Sequence, residues 1–165
     1  MIVRKLKAAL TVSLGIFVLL VGLDNIIDYE TNFVFVQHVL SMDTTFPGNK
    51  LMWRAITSNW MHHAAYAIII VSELAVGLLC IAGAWRIFAA RTRPAPEFNT
   101  AKALAIAGLA AGFLLYFFGF LVVGGEWFQM WQSKTWNGQA AAFRFATSFG
   151  LVLIFVALED AGQSS

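Results

Sequence analysis

The stretch AAYAIIIVSELAVGLLCIAGAW, residues Ala64–Trp85, decides the fold. It matches the ~20 residues an α-helix needs to cross the hydrocarbon core of a bilayer. It carries one charged side chain, Glu73, and closes on an aromatic residue suited to a membrane interface. Three further stretches have the same character, at about Ala8–Ile27, Ala101–Gly124 and Gln139–Leu158. Together they predict an all-α membrane protein, a four-transmembrane-helix bundle forming one membrane domain over residues 1–165.

Composition points the same way. Hydrophobic residues make up 59% of the chain and charged residues 12%, with mean hydropathy +0.73, against about 25% charge in a soluble domain. A net charge of +2 is too small to suggest nucleic acid as a partner. The lone cysteine, Cys80, rules out a disulfide within the chain and any CxxC redox motif, and reads as a small core residue. Arg4, Lys5 and Lys7 before an apolar run resemble the start of a signal peptide. That run ends Val21-Gly22-Leu23-Asp24 with no small-x-small cleavage site, so a retained helix is expected. The tail Glu159–Ser165 is too short to fold alone.

Charge is sorted along the chain. If the N-terminus is cytoplasmic, Arg4, Lys5, Lys7, Arg86, Arg91, Arg93 and Lys102 all lie inside, while Lys50, Arg54 and Lys134 lie outside. Both termini of this multi-pass chain are then expected in the cytoplasm. Trp53, Trp60, Trp127, Trp131 and Trp136 gather on the outer side and Trp85 on the inner, as an aromatic belt.

The outer loop, residues 24–63, is rich in apolar side chains and reads as amphipathic and partly helical. Asn32 is placed to cap a helix over Phe33–Met42. Phe46-Pro47-Gly48-Asn49 reads as a turn. Met52, Ile56 and Trp60 recur every four residues and predict a second short helix. In the spans, Gly108 with Gly112, and Ala142 with Ala146 and Gly150, suggest close packing of span three on span four through small residues.

Two motif stretches are distinctive. Asp24-Asn25-Ile26-Ile27-Asp28-Tyr29, continuing to His38-Val39-Leu40-Ser41-Met42-Asp43-Thr44-Thr45-Phe46-Pro47, is one. Gly125-Glu126-Trp127-Phe128-Gln129-Met130-Trp131-Gln132-Ser133 followed by Trp136-Asn137-Gly138-Gln139 is the other. The chain resembles, over nearly its whole length, a bacterial family of predicted small integral membrane proteins without an assigned function. The resemblance implies four spans and a bacterial inner membrane. It implies no catalytic residue.

Few residues are candidates for chemistry. Glu73 and Arg144 each lie within a span, where an isolated charge is costly, so an intramembrane ion pair is expected. Asp24, Asp28, His38, Asp43, His62 and Glu126 fall near the outer boundary as a possible polar cluster. The histidines lack a tight metal-ligand spacing such as HxxxH or HExxH, and Asp24 and Asp28 suit helix capping as well as acid–base work. No nucleophile motif, P-loop or dinucleotide fingerprint is present. No catalytic residue, metal site or cofactor is expected. Three functions are consistent with this sequence. The first is a non-catalytic accessory or scaffold subunit working with other membrane-protein subunits in the lipid bilayer. The second is a small oligomeric transporter or channel using Glu73 and Arg144. The third is a membrane enzyme with an outer-face site.

Overall fold

Among the described residues, four helices are long and apolar enough to cross a membrane: Ile2–Ile27, Asn59–Ala89, Ala95–Trp127 and Gln139–Ala157. The computed structural model describes residues 1–160, so residues 161–165 of the tail lie outside it. Helix α1 (Ile2–Ile27) runs to a break at Asp28, whose φ −113° and ψ 60° leave helical geometry. Helix α2 (Tyr29–Ser41) begins at once and ends at Met42 in the left-handed region, φ 53°. Helix α3 spans Asn59–Ala89. Helix α4 (Ala95–Ala101) starts behind Pro94, whose fixed φ suits a helix entry. It leads through Lys102 into α5 (Ala103–Leu114), which continues as a π-helical stretch over Leu115–Trp127. Helix α6 (Gln139–Ala157) completes the bundle. The described residues contain no strand.

In lipid, helices associate through close packing and polar contacts rather than a hydrophobic drive. The small residues show where. A Cβ built on Gly15 of α1 would sit 3.1 Å from the Gly77 carbonyl of α3, and one on Gly77 would sit 3.1 Å from the Gly15 carbonyl. The two backbones therefore touch. Gly83 of α3 packs on Ala105 of α5, where a Cβ would approach the Ala105 Cα to 2.5 Å. The core between them is filled by Val18, Val76, Cys80, Leu109, Ala146 and Phe149.

The expected packing of spans three and four holds in part. Gly112 lies against the Phe149 ring and Gly150 against Phe113, but Gly108 faces Cys80 and Leu79 of α3 instead.

The N-terminus and Asp160, the last residue described, lie at one end of the bundle, here the terminal end. Lys7 Nζ donates to the Leu158 carbonyl and to Asp160 Oδ2, each at 2.6 Å. Lys102 Nζ donates to the same carbonyl at 2.8 Å and the same carboxylate oxygen at 3.3 Å. This clasp ties the start of α1, the start of α5 and the end of α6. Its residues are separated by most of the chain and carry no shared motif, so the sequence holds no signal that pairs them.

The opposite end is capped by α2. Its Phe33 and Val36 pack on Tyr66 and Ile70 of α3. The cap begins earlier than expected: the helix starts at Tyr29, with Asp28 rather than Asn32 at its N-cap position. The helix expected over Met52–Trp60 is absent. Only Met52–Arg54 form a turn of 3₁₀ helix, and the Ile56 amide donates to the Leu40 carbonyl at 2.8 Å, which holds the chain extended there. The turn at Phe46–Asn49 forms as expected. The Asn49 amide donates to the Phe46 carbonyl at 3.2 Å, and Gly48 takes a φ of 77° that favours glycine.

Candidate functional site

Glu73 lies at the middle of the 31-residue α3, about 20 Å along the helix from both Trp60 and Trp85. Its side chain is buried at 2% exposure. Asn25, near the end of α1, donates its Nδ2 to Glu73 Oε2 at 2.7 Å. Asn32, from the first turns of α2, donates in turn to Asn25 Oδ1 at 2.7 Å. The Asn25 carbonyl accepts from the Tyr66 hydroxyl at 3.2 Å. The result is an oriented chain of amides running from an exposed residue, Asn32, to a buried carboxyl. Each donor points toward Glu73, an orientation that favours negative charge there.

The break at Asp28 makes this chain. It turns α2 back across the end of α1, which brings Asn32 over Asn25, seven positions earlier in sequence.

A cavity of about 300 Å³ opens beside this chain. Its wall includes Asn25, Asn32, Glu73, Phe35, Tyr66, Tyr116, Phe120 and Phe145, and among the described residues Glu73 is its one charged lining group. Tyr116 is buried at 2% exposure. It lines the same cavity as Glu73, and its hydroxyl has no hydrogen-bond partner among the described residues. Tyr116 stands at the start of the π-helical stretch. π-Helical turns are rare and recur at functional sites, because the wider turn re-aims side chains. An adjoining cavity of about 330 Å³ shares Phe35, Val36, Ile69 and Phe120 with the first and is lined almost wholly by apolar side chains. Toward the terminal end the core closes over Val76, Cys80, Leu109 and Phe149.

The expected Glu73–Arg144 pair does not form. Helix α6 turns Ala142, Ala146 and Phe149 inward, which places Arg144 on its exposed face. Glu73 has Asn25 as its partner instead. Depth in the span is the sequence's one pointer to Arg144, and depth carries no information about helix face. Asn25 could have been found: a buried amide one turn from the end of a span is itself a candidate partner for an intramembrane acid.

The expected outer cluster also separates. His38 Nδ1 meets Asp43 Oδ2 at 2.8 Å, and the His38 ring stacks on Trp136 with centroids 4.6 Å apart. His62 bonds the Ile56 carbonyl through Nε2 at 2.7 Å. Asp28 accepts from the Thr31 hydroxyl at 2.8 Å. Asp24 and Glu126 are exposed. Among the described residues no group of three or more His, Cys, Asp or Glu side chains gathers as a metal site. His63 stacks on Phe33 at 4.0 Å between centroids and meets the Tyr29 hydroxyl at 2.8 Å. Burial, with the nearby Glu30 charge, pushes the Tyr29 phenol above its ordinary range.

Residues 3–159 match the model of a protein family described as predicted small integral membrane protein (DUF2165). Comparison with curated proteins and with solved structures returns no match. The chain belongs to this family of small integral membrane proteins.

Proposed function

Taking membership of that family as the premise, we propose that the chain binds a small organic cation in the Glu73 cavity, entering from the capped end. The observation that carries this reading is the buried carboxyl of Glu73, with amide donors on one side, an aromatic-walled cavity on the other, and no cationic side chain lining it. A bare carboxylate at that depth is costly. That cost outweighs the amide donors, so Glu73 holds a proton when the cavity is empty and gives it up when a cation takes its place. The aromatic rings of Phe35, Tyr66, Phe120 and Phe145 favour a cation with organic bulk, through the negative faces of their π-systems. Binding with proton exchange is the first step of a carrier, and the closed core toward the terminal end corresponds to an outward-open form. No bond-making step is assigned to any residue, so the chain is read as non-enzymatic.

The charge asymmetry supports an orientation with both termini in the cytoplasm of a bacterial inner membrane. The accessory-subunit role fits the same site if the cavity presents its cation to a partner membrane subunit. Purification in mild detergent separates these roles: a homo-oligomer supports a carrier, and a heteromeric complex supports an accessory subunit.

The test of the site is a titration of the purified chain with benzyltrimethylammonium. Saturable binding that strengthens as pH rises, and its loss in the isosteric neutral variant Glu73→Gln, are expected. Equal affinity in the variant would falsify the assignment.

A further inference from the structure

The clasp at the terminal end holds more positive charge than the described residues around it neutralise. Lys7 and Lys102, both at 2% exposure, share one carboxylate oxygen of Asp160. Arg4 Nε lies 3.8 Å from the other oxygen. Three cations against one carboxylate leave an excess of two. Beside this cluster opens a cavity of about 650 Å³, lined by Arg4, Arg91, Arg93 and Asp160 together with the Pro94–Pro96 turn. Arg4 Nη1 donates to the carbonyls of Arg91 at 3.1 Å and Arg93 at 2.7 Å, which fixes the α3–α4 turn to α1 and leaves Nη2 for another acceptor. Arg91 Nη1 donates to the Phe88 carbonyl at 2.8 Å. Arg93 meets Glu97 at 3.6 Å and is largely exposed.

We propose that this cavity binds a phosphate-bearing anion, with the headgroup phosphate of an anionic phospholipid as the source that its position favours. Guanidinium groups present paired N–H donors that fit phosphate oxygens two at a time. Basic pockets between membrane helices suit anionic headgroups. The surface of α1 next to the cavity exposes Ile2, Val3 and Leu6, an apolar strip on which the lipid's acyl chains lie. The bound phosphate supplies negative charge to a clasp in which, among the described residues, three cations face one carboxylate. This site lies at the opposite end of the bundle from the α2 cap beside which the Glu73 cavity opens, and it is independent of the cation reading.

The test is thermal unfolding of the full chain in a neutral detergent, titrated with phosphatidylglycerol, phosphatidylcholine or inorganic phosphate. Saturable stabilisation by phosphatidylglycerol and none by phosphatidylcholine is expected. The double change Arg91→Gln and Arg93→Gln should weaken the apparent phosphatidylglycerol affinity roughly thirtyfold, about fivefold per arginine. Lys5→Gln, on an exposed residue of α1 outside the cavity lining, should leave it within about twofold. Arg93→Gln alone repeats the test with the most exposed of the three arginines, should the double variant unfold. Stabilisation by inorganic phosphate alone would retain the site and reject the lipid source. An equal loss in Lys5→Gln, or no stabilisation by either phosphate compound, overturns the proposal.

Discussion

Glu73 and Arg144 show what a single residue can disclose in a membrane sequence. Both were legible as costly charges, but the partner was not. An acid's depth follows from counting residues, while its neighbour depends on which face each helix turns inward. Glu73 found its partner in Asn25 because Asp28 breaks the chain and folds α2 back over the end of α1. Two substitutions check this. Asn25→Leu removes the donor to Glu73 and the acceptor for Asn32, and should cost about 1–3 kcal/mol of stability. Arg144→Met removes an exposed charge within a span and should leave stability unchanged or raise it. Thermal unfolding in detergent reads both. A large loss in Arg144→Met with none in Asn25→Leu reverses the pairing described here.

At the scale of elements, the four spans could be read from length and hydropathy, and their partners only in part. The Gly108/Gly112 spacing marks a face that packs closely, yet its two glycines meet different helices, Gly108 on α3 and Gly112 on α6. The α1–α3 contact through Gly15 and Gly77 was not predicted, because isolated glycines in separate spans give no pairing signal. Met52, Ile56 and Trp60 carried helical spacing, but a backbone bond from Ile56 to Leu40 outweighed it. Close approach makes a sharp prediction. Gly83→Val forces side-chain atoms into the Ala105 backbone and should destabilise by about 1–3 kcal/mol or more. Gly119→Ala meets nothing within 4 Å and should leave the unfolding temperature unchanged or slightly higher.

The terminal clasp supplies a pH signature of its own. Burial alone would raise the Asp160 carboxyl, but hydrogen bonds and charge from Lys7 and Lys102 outweigh it and hold the group below the ordinary carboxylate range. A carboxyl whose folded value lies below its unfolded value stabilises the fold above that range. The stabilisation is lost as pH falls through the folded value. The unfolding temperature should therefore drop as pH is taken below about 4. Asp160→Asn should start lower and show a flatter acid limb. Parallel acid limbs in the two proteins would show that the clasp contributes nothing to the acid response.

The whole molecule is a bundle with two chemically distinct ends. One is a basic clasp joining the start of α1, the start of α5 and the end of α6. The other is an aromatic cap over a buried acid. The proposed orientation puts the clasp in the cytoplasm, so reporter fusions at Pro96 should read as cytoplasmic and one near Gly48 as external. A cytoplasmic signal at Gly48 inverts the assignment and turns the Glu73 cavity toward the cell interior. The central claim is that Glu73 keeps a proton until a cation displaces it. Labelling with dicyclohexylcarbodiimide, an apolar reagent for protonated carboxyls, followed by peptide mass spectrometry, tests that claim most directly. The account predicts modification at Glu73 in the membrane-embedded protein, and progressive protection as benzyltrimethylammonium is added. Modification at Glu73 that saturating cation leaves unchanged would contradict it.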